Sequence, residues 1–223
     1  MSAPGLPSSP ALPHRSQEWI ARSRAKKIEP YLPSNGIVFE YGAVNYLNLA
    51  GIRTAKSFAT IFETSILPSN DICEQVAGTK EIKDASIDLV ICDHRLEYET
   101  NPPAVLAEFQ RMLKGKGTLL ISAIYDPEYK RAIGSPGIEQ LARYASPGKS
   151  RPHLYSWNVQ SLGNLLTDCE FNLISGQVKR CPKEQIAAQQ AVRFGLRELG
   201  FHLFSFTGQF LNPFYEVRIA ARR

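Results

Sequence analysis

Hydrophobic positions along the chain change their spacing several times, and these changes divide it into strand-like and helix-like stretches. The most apolar stretch, Ile87 to Cys92, contains one charged residue. It predicts a central parallel strand, because such a strand is buried on both faces. Residues Ala104 to Leu113 place their apolar side chains on one helical face and predict a helix. Lys114 to Gly117 then predict a tight turn, since cations and glycines suit a helix C-terminus.

The rest of the chain follows the same alternation. Further strands are predicted at Ile37 to Glu40, Phe58 to Phe62, Thr118 to Ala123, Phe171 to Gly176 and Phe214 to Ala221. Further helices are predicted at Arg15 to Glu29, Asn45 to Ala50, Ser65 to Glu74, Asn158 to Cys169, where Asn158 is the cap, and Lys183 to Phe206. Such alternation is typical of βαβ units. We therefore predict an α/β fold of three layers, with a mostly parallel sheet and helices on both of its faces.

The length of 223 residues suits one domain with a well-buried core. Met1 to Pro13 holds four prolines and three serines, a composition that does not pack. We therefore expect a disordered N-terminal tail over residues 1–14 and a single domain over 15–223. The irregular stretch from Tyr125 to Lys149 predicts a long loop at the strand ends, and such loops are usually functional.

Composition narrows the class of protein. Hydrophobic residues make up 43% and charged residues 21%, as in soluble globular proteins. We expect a cytoplasmic protein without a membrane span, because no apolar run approaches the roughly 20 residues that a span requires. The four cysteines form no CxxC pair, so no metal site is expected. The net charge of +5 is dispersed and does not indicate nucleic-acid binding. Nothing in the pattern indicates an oligomeric state.

Candidate chemistry lies after the predicted strands, because ligands of open parallel sheets bind beyond the carboxyl ends of the strands. Glu40 and Gly42 follow the first strand, and a glycine there lets backbone amides approach a ligand. Glu63 lies 21 positions after Gly42, the spacing at which dinucleotide folds place an acid on ribose hydroxyls. A packing glycine and a solvated carboxylate are the alternative interpretations.

Several motifs occur in the order and spacing of a known family. They are Glu40-Tyr41-Gly42, Asp88-Leu89-Val90, His94-Arg95-Leu96-Glu97-Tyr98, Pro102-Pro103, and the run from Leu113 to Ser122. On these motifs the chain resembles the class I S-adenosylmethionine-dependent methyltransferases of the type 11/12 kind. Val44 and Tyr46 stand where the family has further glycines, so the glycine motif is degenerate. In the family the methionine part of the donor lies against bare backbone there.

The resemblance implies a Rossmann-like three-layer sandwich with a mostly parallel, seven-stranded sheet. It also implies that S-adenosylmethionine is the methyl donor and that the acceptor is a small molecule or a glycan. The donor-binding residues that it implies are Glu40, Gly42, Glu63, Gly78, Thr79, Cys92 and Asp93. The stretch from Arg151 to Trp157 is expected to line the acceptor pocket. His94 and His153 are candidate general bases, because a neutral imidazole accepts a proton near pH 7. Tyr125 is a further candidate, which offers its ring face to the cationic donor or its hydroxyl to the substrate.

Other functions fit less well. A nicotinamide-dependent oxidoreductase needs G-x-G-x-x-G after the first strand, and only Gly42 is present. A P-loop phosphotransferase needs G-x-x-x-x-G-K-[ST], which does not occur. The alternative that stays open is a catalytically inactive protein of the methyltransferase fold that acts as a binding or partner subunit, since Val44, Tyr46 and Thr79 depart from the family pattern.

Overall fold

The computed structural model describes residues 24–43, 49, 56–61, 74–125, 154–155, 157–180, 203 and 215–223. The strands are β1 (Ile37–Ala43), β2 (Lys56–Ile61), β3 (Glu74–Gln75), β4 (Ile87–Asp93), β5 (Leu113–Ile124), β6 (Asn172–Arg180) and β7 (Tyr215–Arg222). The helices are α1 (Pro102–Met112) and α2 (Val159–Asp168). Residues 24–28 are also helical, and single 3₁₀ turns lie at Glu29–Tyr31, Thr79–Glu81 and Leu96–Tyr98.

The described strands form one sheet in the order β3-β2-β1-β4-β5-β7-β6. The pairs from β3 through β5 are parallel, whereas β7 runs antiparallel to both β5 and β6. The predicted α/β class and mostly parallel sheet are confirmed. The chain order reverses between β1 and β4, and at such a point the strand ends leave a crevice for a ligand.

Apolar side chains cover both faces of the sheet, which gives the predicted three layers. On one face Ala25 and Ile28, from the helical residues 24–28, pack against Val38 and other buried strand residues. On the other face Phe109 of α1 and Leu166 of α2 are buried against the sheet. In β4 the side chains of Ile87, Leu89, Val90, Ile91 and Cys92 are all buried. The interpretation of this run as a central strand is confirmed.

Strand β5 differs from the sequence prediction at its beginning. Leu113, where we predicted the end of a helix, already pairs with Ile87 of β4, and Thr118 pairs with Leu89. The four residues between Leu113 and Thr118 therefore lie opposite the single residue Asp88. Such an irregularity is a bulge, and it occupies the stretch for which we predicted a tight turn. A Cβ on Gly117 would lie 3.1 Å from the Ile87 carbonyl oxygen, so glycine lets the two strands approach.

The cap of α2 is confirmed, whereas most of the other predicted helices lie outside the described residues. Asn158 caps α2 as predicted, because its Oδ1 accepts from the Ser161 amide at 2.8 Å and Ser161 Oγ accepts from the Asn158 amide at 3.0 Å. The helices predicted between β1 and β2, after β2 and at 183–206 lie outside the described residues except for single positions. Of these, Glu74 lies in β3 and not in a helix, while Leu203 is helical.

None of the helices in the described ranges combines the length and the apolarity that crossing a membrane requires.

The capping box of α2 gives a first prediction. Asn158→Ala removes the acceptor of the Ser161 amide and should lower the free energy of unfolding by about 1 kcal/mol. Asn158→Asp keeps an acceptor at the same place and should stay close to the wild type. Urea denaturation of the three proteins measures the difference. Equal losses in the two variants would show that the cap does not stabilise α2.

Candidate functional site

A cleft of about 420 Å³ opens beside β1 and β4, where the strand order reverses. Its walls come from the ends of β1 and β2, from the loops after β3 and β4, and from one face of α1. The residues that matter for the argument are Tyr41, Gly42, Gly78, Thr79, Arg95 and Glu99. The cleft therefore lies where the topology of the sheet predicts a ligand site.

Gly42 forms the inner corner of the cleft. Its φ of +67° lies in the left-handed region, which glycine adopts without strain. Its amide donates to Thr60 Oγ1 at 2.8 Å, and this bond joins the ends of β1 and β2. A Cβ at this position would lie 2.8 Å from Arg95 Cδ. Both the backbone and the neighbouring side chain therefore require glycine here.

The wall after β3 is held by α1. Arg111 of α1 donates to the carbonyl oxygen of Thr79 at 2.9 Å and to that of Ile82 at 2.8 Å. The same guanidinium bonds Glu108 at 3.0 Å and lowers the pKa of that carboxyl group. Gly78 precedes these anchored residues in an extended conformation, and a Cβ on it would meet nothing within 4 Å. The wall is thus fixed in position, with open space before its backbone.

Tyr41 and Glu99 form a polar pair in the cleft. The tyrosine hydroxyl donates to Glu99 Oε1 at 2.8 Å, and its ring meets Phe109 edge-on at 5.2 Å between centroids. Burial and the bond to Glu99 raise the pKa of Tyr41 well above its ordinary value, so the hydroxyl stays a donor at neutral pH. The carboxylates of Glu99 and Glu108 and the guanidinium of Arg95 are the charged groups of the cleft lining.

His94 follows β4 directly but is not among the residues that line the cleft. Its Nε2 lies 3.0 Å from Glu216 Oε2 and its Nδ1 lies 3.5 Å from Glu97 Oε1. Burial opposes charge on the ring, yet the bonds with Glu216 and Glu97 outweigh burial and raise the pKa of His94 well above its usual range. Two carboxylates therefore face the ring and favour its charged form, which cannot accept the proton that a general base removes. This geometry favours a structural role for His94.

The charged network around His94 joins several elements. The backbone carbonyl of Glu97 accepts from the amides of Leu154 and Tyr155, at 2.7 and 3.3 Å. Glu216, at the start of β7, also pairs with Arg218. Asp93 Oδ1 lies 3.9 Å from the same Nε2 atom of His94, and Asp93 also accepts from Ser122 Oγ of β5 and lies 3.8 Å from Arg24 Nη1. Through these bonds the network fixes the ends of β4 and β5, the start of β7 and the segment 154–155.

The described part of the predicted acceptor stretch forms an aromatic pair. Tyr125 follows β5 directly, and its backbone forms an isolated parallel β-bridge with Trp157. The Trp157 ring stacks on the Tyr155 ring, with the two centroids 5.4 Å apart. Trp157 is buried, whereas Tyr155 and Leu154 are exposed. An aromatic surface therefore lies beside the end of β5, at the same edge of the sheet as the cleft.

The structure brings together three of the predicted donor-site residues, Gly42, Gly78 and Thr79, in the cleft lining. Glu40 is buried near the end of β1. Because side chains alternate along a strand, it lies on the same face of the sheet as Val38. Cys92 is fully buried in the core, so only its backbone could face a ligand, and burial raises the pKa of its thiol.

The other predicted site residues are placed less directly. Asp93 is engaged with Ser122, while Glu63 and His153 lie outside the described residues. The individual site assignments therefore stay predictions. Within the described ranges, no three His, Cys, Asp or Glu side chains are grouped to hold a metal ion.

Sequence analysis missed three charged residues of the cleft. Arg95 and Glu99 come shortly after the carboxyl end of β4, and this position alone could have marked them as candidates. Glu108 shares a helical face with Ala104 and Val105, which also line the cleft. No local pattern shows that this face of α1 turns toward the loop after β3.

Residues 34–121 match the sequence profile of a family described as a methyltransferase domain. No curated protein sequence matches the chain significantly. The matched segment contains β1, β2, β3, β4, α1 and most of β5, and it therefore includes every residue that lines the cleft.

Solved structures share the fold at low sequence identity. A Burkholderia thailandensis 1,6-didemethyltoxoflavin-N1-methyltransferase, solved with 1,6-didemethyltoxoflavin and S-adenosylhomocysteine, has a TM-score of 0.56 at 16% identity, over 92% of this chain and 79% of its own. The geranyl diphosphate C-methyltransferase of Streptomyces coelicolor scores 0.55 at 13%, over 90% and 77%. A Haemonchus contortus phosphoethanolamine N-methyltransferase, solved with S-adenosylmethionine, scores 0.57 at 10%, over 94% of this chain but 56% of its own. The profile match and the shared fold support the resemblance to the class I S-adenosylmethionine-dependent methyltransferases that the motifs indicated.

The His94 network generates a prediction for pH dependence. The pKa of His94 is raised in the folded state from about 6.5 in the unfolded chain. The stabilisation by its charge is therefore complete below about pH 6.5 and is lost as pH rises through the folded pKa. His94→Asn, in which asparagine tolerates the positive φ of +51°, should cost about 3 kcal/mol below pH 6.5 and less at higher pH.

Urea denaturation of the wild type and of His94→Asn from pH 5.5 to 9.5 measures this difference. A constant gap between the two stability curves over the whole range would contradict a charged His94 in the folded protein. Glu170→Asn, at another non-glycine position of positive φ, is the control and should give a gap that does not change in this way.

Proposed function

We propose that this chain transfers a methyl group from S-adenosylmethionine to a small-molecule or glycan acceptor, with the donor bound in the cleft beside β1 and β4. The observation that carries the proposal is the cleft itself. It lies where the strand order reverses, and its corner is a glycine in the left-handed conformation. Its opposite wall presents the backbone of Gly78 to open space.

The residues present fit such a donor. Gly42 and Gly78 leave backbone accessible at two places in one cleft, and a nucleoside with an amino-acid arm needs an extended surface of this kind. Thr79 adds a hydroxyl at the second of these walls. We propose Glu63 as the ligand of the ribose hydroxyls, from its spacing to Gly42. Glu40, Cys92 and Asp93 stay in the proposed site through their positions at the ends of β1 and β4.

S-adenosylmethionine, when bound, supplies a methyl group that its sulfonium already activates for transfer. The protein then needs mainly to hold the acceptor in line with this methyl group. The carboxylates of Glu99 and Glu108 line the cleft, and Glu108 is already paired with Arg111. Glu99 therefore favours a cationic ligand over an anionic one of the same shape. Arg95 offsets part of this negative charge.

The acceptor side is proposed to lie at the aromatic surface of Tyr125, Tyr155 and Trp157. The Burkholderia and Streptomyces proteins are named for small molecules that they methylate, which supports an acceptor of that class. A general base is not an obligatory part of methyl transfer. If the acceptor requires one, His153 and the Tyr125 hydroxyl stay the predicted candidates, because the bonds of His94 with Glu216 and Glu97 favour the charged form of that ring.

A catalytically inactive protein of the same fold is the second candidate function. The observation in its favour is that the side chain of Arg95 lies over Gly42, at the corner where the donor is expected. Val44 and Tyr46 add side chains to the same motif in the sequence. Donor binding separates the two functions, since an inactive partner subunit has no need of it.

A matched pair of glycine variants tests the donor site. Gly78→Leu adds a side chain to the open space of the cleft and should weaken binding at least tenfold, or about 1.4 kcal/mol. Gly115→Leu adds the same side chain on the exposed bulge of β5, where a Cβ also meets nothing within 4 Å, and should leave binding unchanged. Calorimetric titration with S-adenosylmethionine and S-adenosylhomocysteine measures both.

Two results would contradict the proposal. If the wild type binds neither ligand at millimolar concentration, the inactive alternative is supported and the search should turn to protein partners. If both glycine variants bind as the wild type does, the donor lies elsewhere. Binding that only Gly78→Leu loses supports the site, and formation of S-adenosylhomocysteine with candidate acceptors then tests the reaction.

A further inference from the structure

Glu99 presents a carboxylate to the cleft from the loop after β4. Its backbone is held by the 3₁₀ turn that precedes it, because the Glu99 amide donates to the carbonyl oxygen of Leu96 at 3.3 Å. Its side chain is held from β1, where the Tyr41 hydroxyl donates to Glu99 Oε1 at 2.8 Å. The Tyr41 ring in turn lies edge-on against the fully buried Phe109. The fold therefore positions both the backbone and the carboxylate of Glu99.

The negative charge of Glu99 differs from that of neighbouring carboxylates in the partner it has. Glu108, in the same cleft lining, lies 3.0 Å from the guanidinium of Arg111, and Glu97 lies 3.5 Å from the ring of His94. The partner of Glu99 is a hydroxyl, which donates a hydrogen bond without neutralising the charge. No cationic side chain in the part of the chain that the structure describes forms an ion pair with Glu99. Glu99 therefore brings a negative charge to the cleft that no ion pair compensates.

Arg95 is the cationic residue of the described lining, and its side chain is directed to other groups. Its Cδ lies 2.8 Å from the place of a Cβ on Gly42, and its guanidinium carbon lies 5.7 Å from the centroid of the Tyr98 ring. A carboxylate offers about four acceptor sites, and the Tyr41 hydroxyl uses one of those of Glu99. Because Glu99 is only half-buried, its other acceptor sites are available to a ligand in the cleft.

We propose that Glu99, oriented by Tyr41, binds a positively charged group of the ligand and makes the donor site selective for charge. The inference rests on the proposed function. S-adenosylmethionine carries two positive groups, the sulfonium and the ammonium of its amino-acid arm, and a fixed carboxylate attracts either of them. Tyr41 is a positioning residue in this proposal, because it acts through the carboxylate of Glu99.

Three ligands separate the two positive groups. S-adenosylmethionine has both, S-adenosylhomocysteine keeps the ammonium alone, and methylthioadenosine has neither. Glu99→Gln removes the charge and keeps an oxygen that can accept from Tyr41. If Glu99 binds the sulfonium, Glu99→Gln should weaken the binding of S-adenosylmethionine about tenfold and leave the other two ligands unchanged. If Glu99 binds the ammonium, it should weaken both amino-acid ligands about tenfold and leave methylthioadenosine unchanged. Either result supports the proposal.

Tyr41→Phe tests the positioning role. It removes the hydroxyl and keeps the ring against Phe109, so the carboxylate stays charged but is less well directed. We expect a loss of about threefold for the same ligands that Glu99→Gln affects, and none for methylthioadenosine. A merely structural role of Tyr41 would weaken all three ligands alike. Glu170→Gln removes an exposed carboxylate outside the cleft lining and is the control, which should bind all three ligands as the wild type does.

Calorimetric titration of the four proteins with the three ligands measures these affinities. Equal weakening of all three ligands in Glu99→Gln would assign the effect to the shape of the cleft and would overturn charge selectivity. Unchanged binding of all three would show that Glu99 faces no positive group of the donor. In both cases binding by the wild type leaves the proposed function intact. If the wild type binds none of the three ligands, the donor site and the inference are both overturned.

Salt dependence keeps the inference testable if the variants do not fold. Raising sodium chloride from about 0.05 M to about 0.5 M screens charges at a partly exposed site. In the wild type it should therefore weaken the binding of S-adenosylmethionine more than that of methylthioadenosine. An equal effect of salt on the two ligands would overturn the selectivity for charge.

Discussion

The parallel pairing of β1 with β4 determines which groups meet in the cleft. Because Phe39 lies beside Val90 and Glu40 beside Ile91, both strands end at the same level and the residues that follow them become neighbours. Gly42 and Arg95 are brought together in this way, although they are far apart in the sequence. The left-handed conformation of Gly42 lies where the register between β1 and β2 shifts, and the missing side chain leaves room for the arginine stem.

Two ionic clamps hold the walls of this cleft from outside. Arg111 reaches from α1 to the carbonyl oxygens of the loop after β3, and His94 joins the turn after β4 to Glu216 of β7. Each clamp satisfies groups that are costly to bury unpaired, namely backbone carbonyls in one case and the carboxylates of Glu97 and Glu216 in the other. The backbone of both walls is therefore held by contacts that lie outside the cleft.

The parts of the fold that could be predicted are those with a local signal. The almost wholly apolar run in β4 and the capping residue Asn158 of α2 each depend on neighbours in the chain, and both predictions are confirmed. The bulge at the start of β5 was mistaken for a turn, because glycine and lysine suit both and only the register with Ile87 distinguishes them. The pairing of His94 with Glu216 spans 122 positions and leaves no local trace, so the histidine resembled a free base in the sequence.

The residues that carry the family resemblance turn out to be mostly structural. Asp88 Oδ2 accepts from the Ile37 amide and from Lys114 Nζ, both at 2.8 Å, and so joins the start of β1 to the bulge of β5. His94 and Glu97 of the next motif belong to the clamp on β7. A sequence can therefore keep these motifs for the stability of the sheet alone. The proposed donor site depends instead on Gly42, Gly78 and Arg95, which line the cleft.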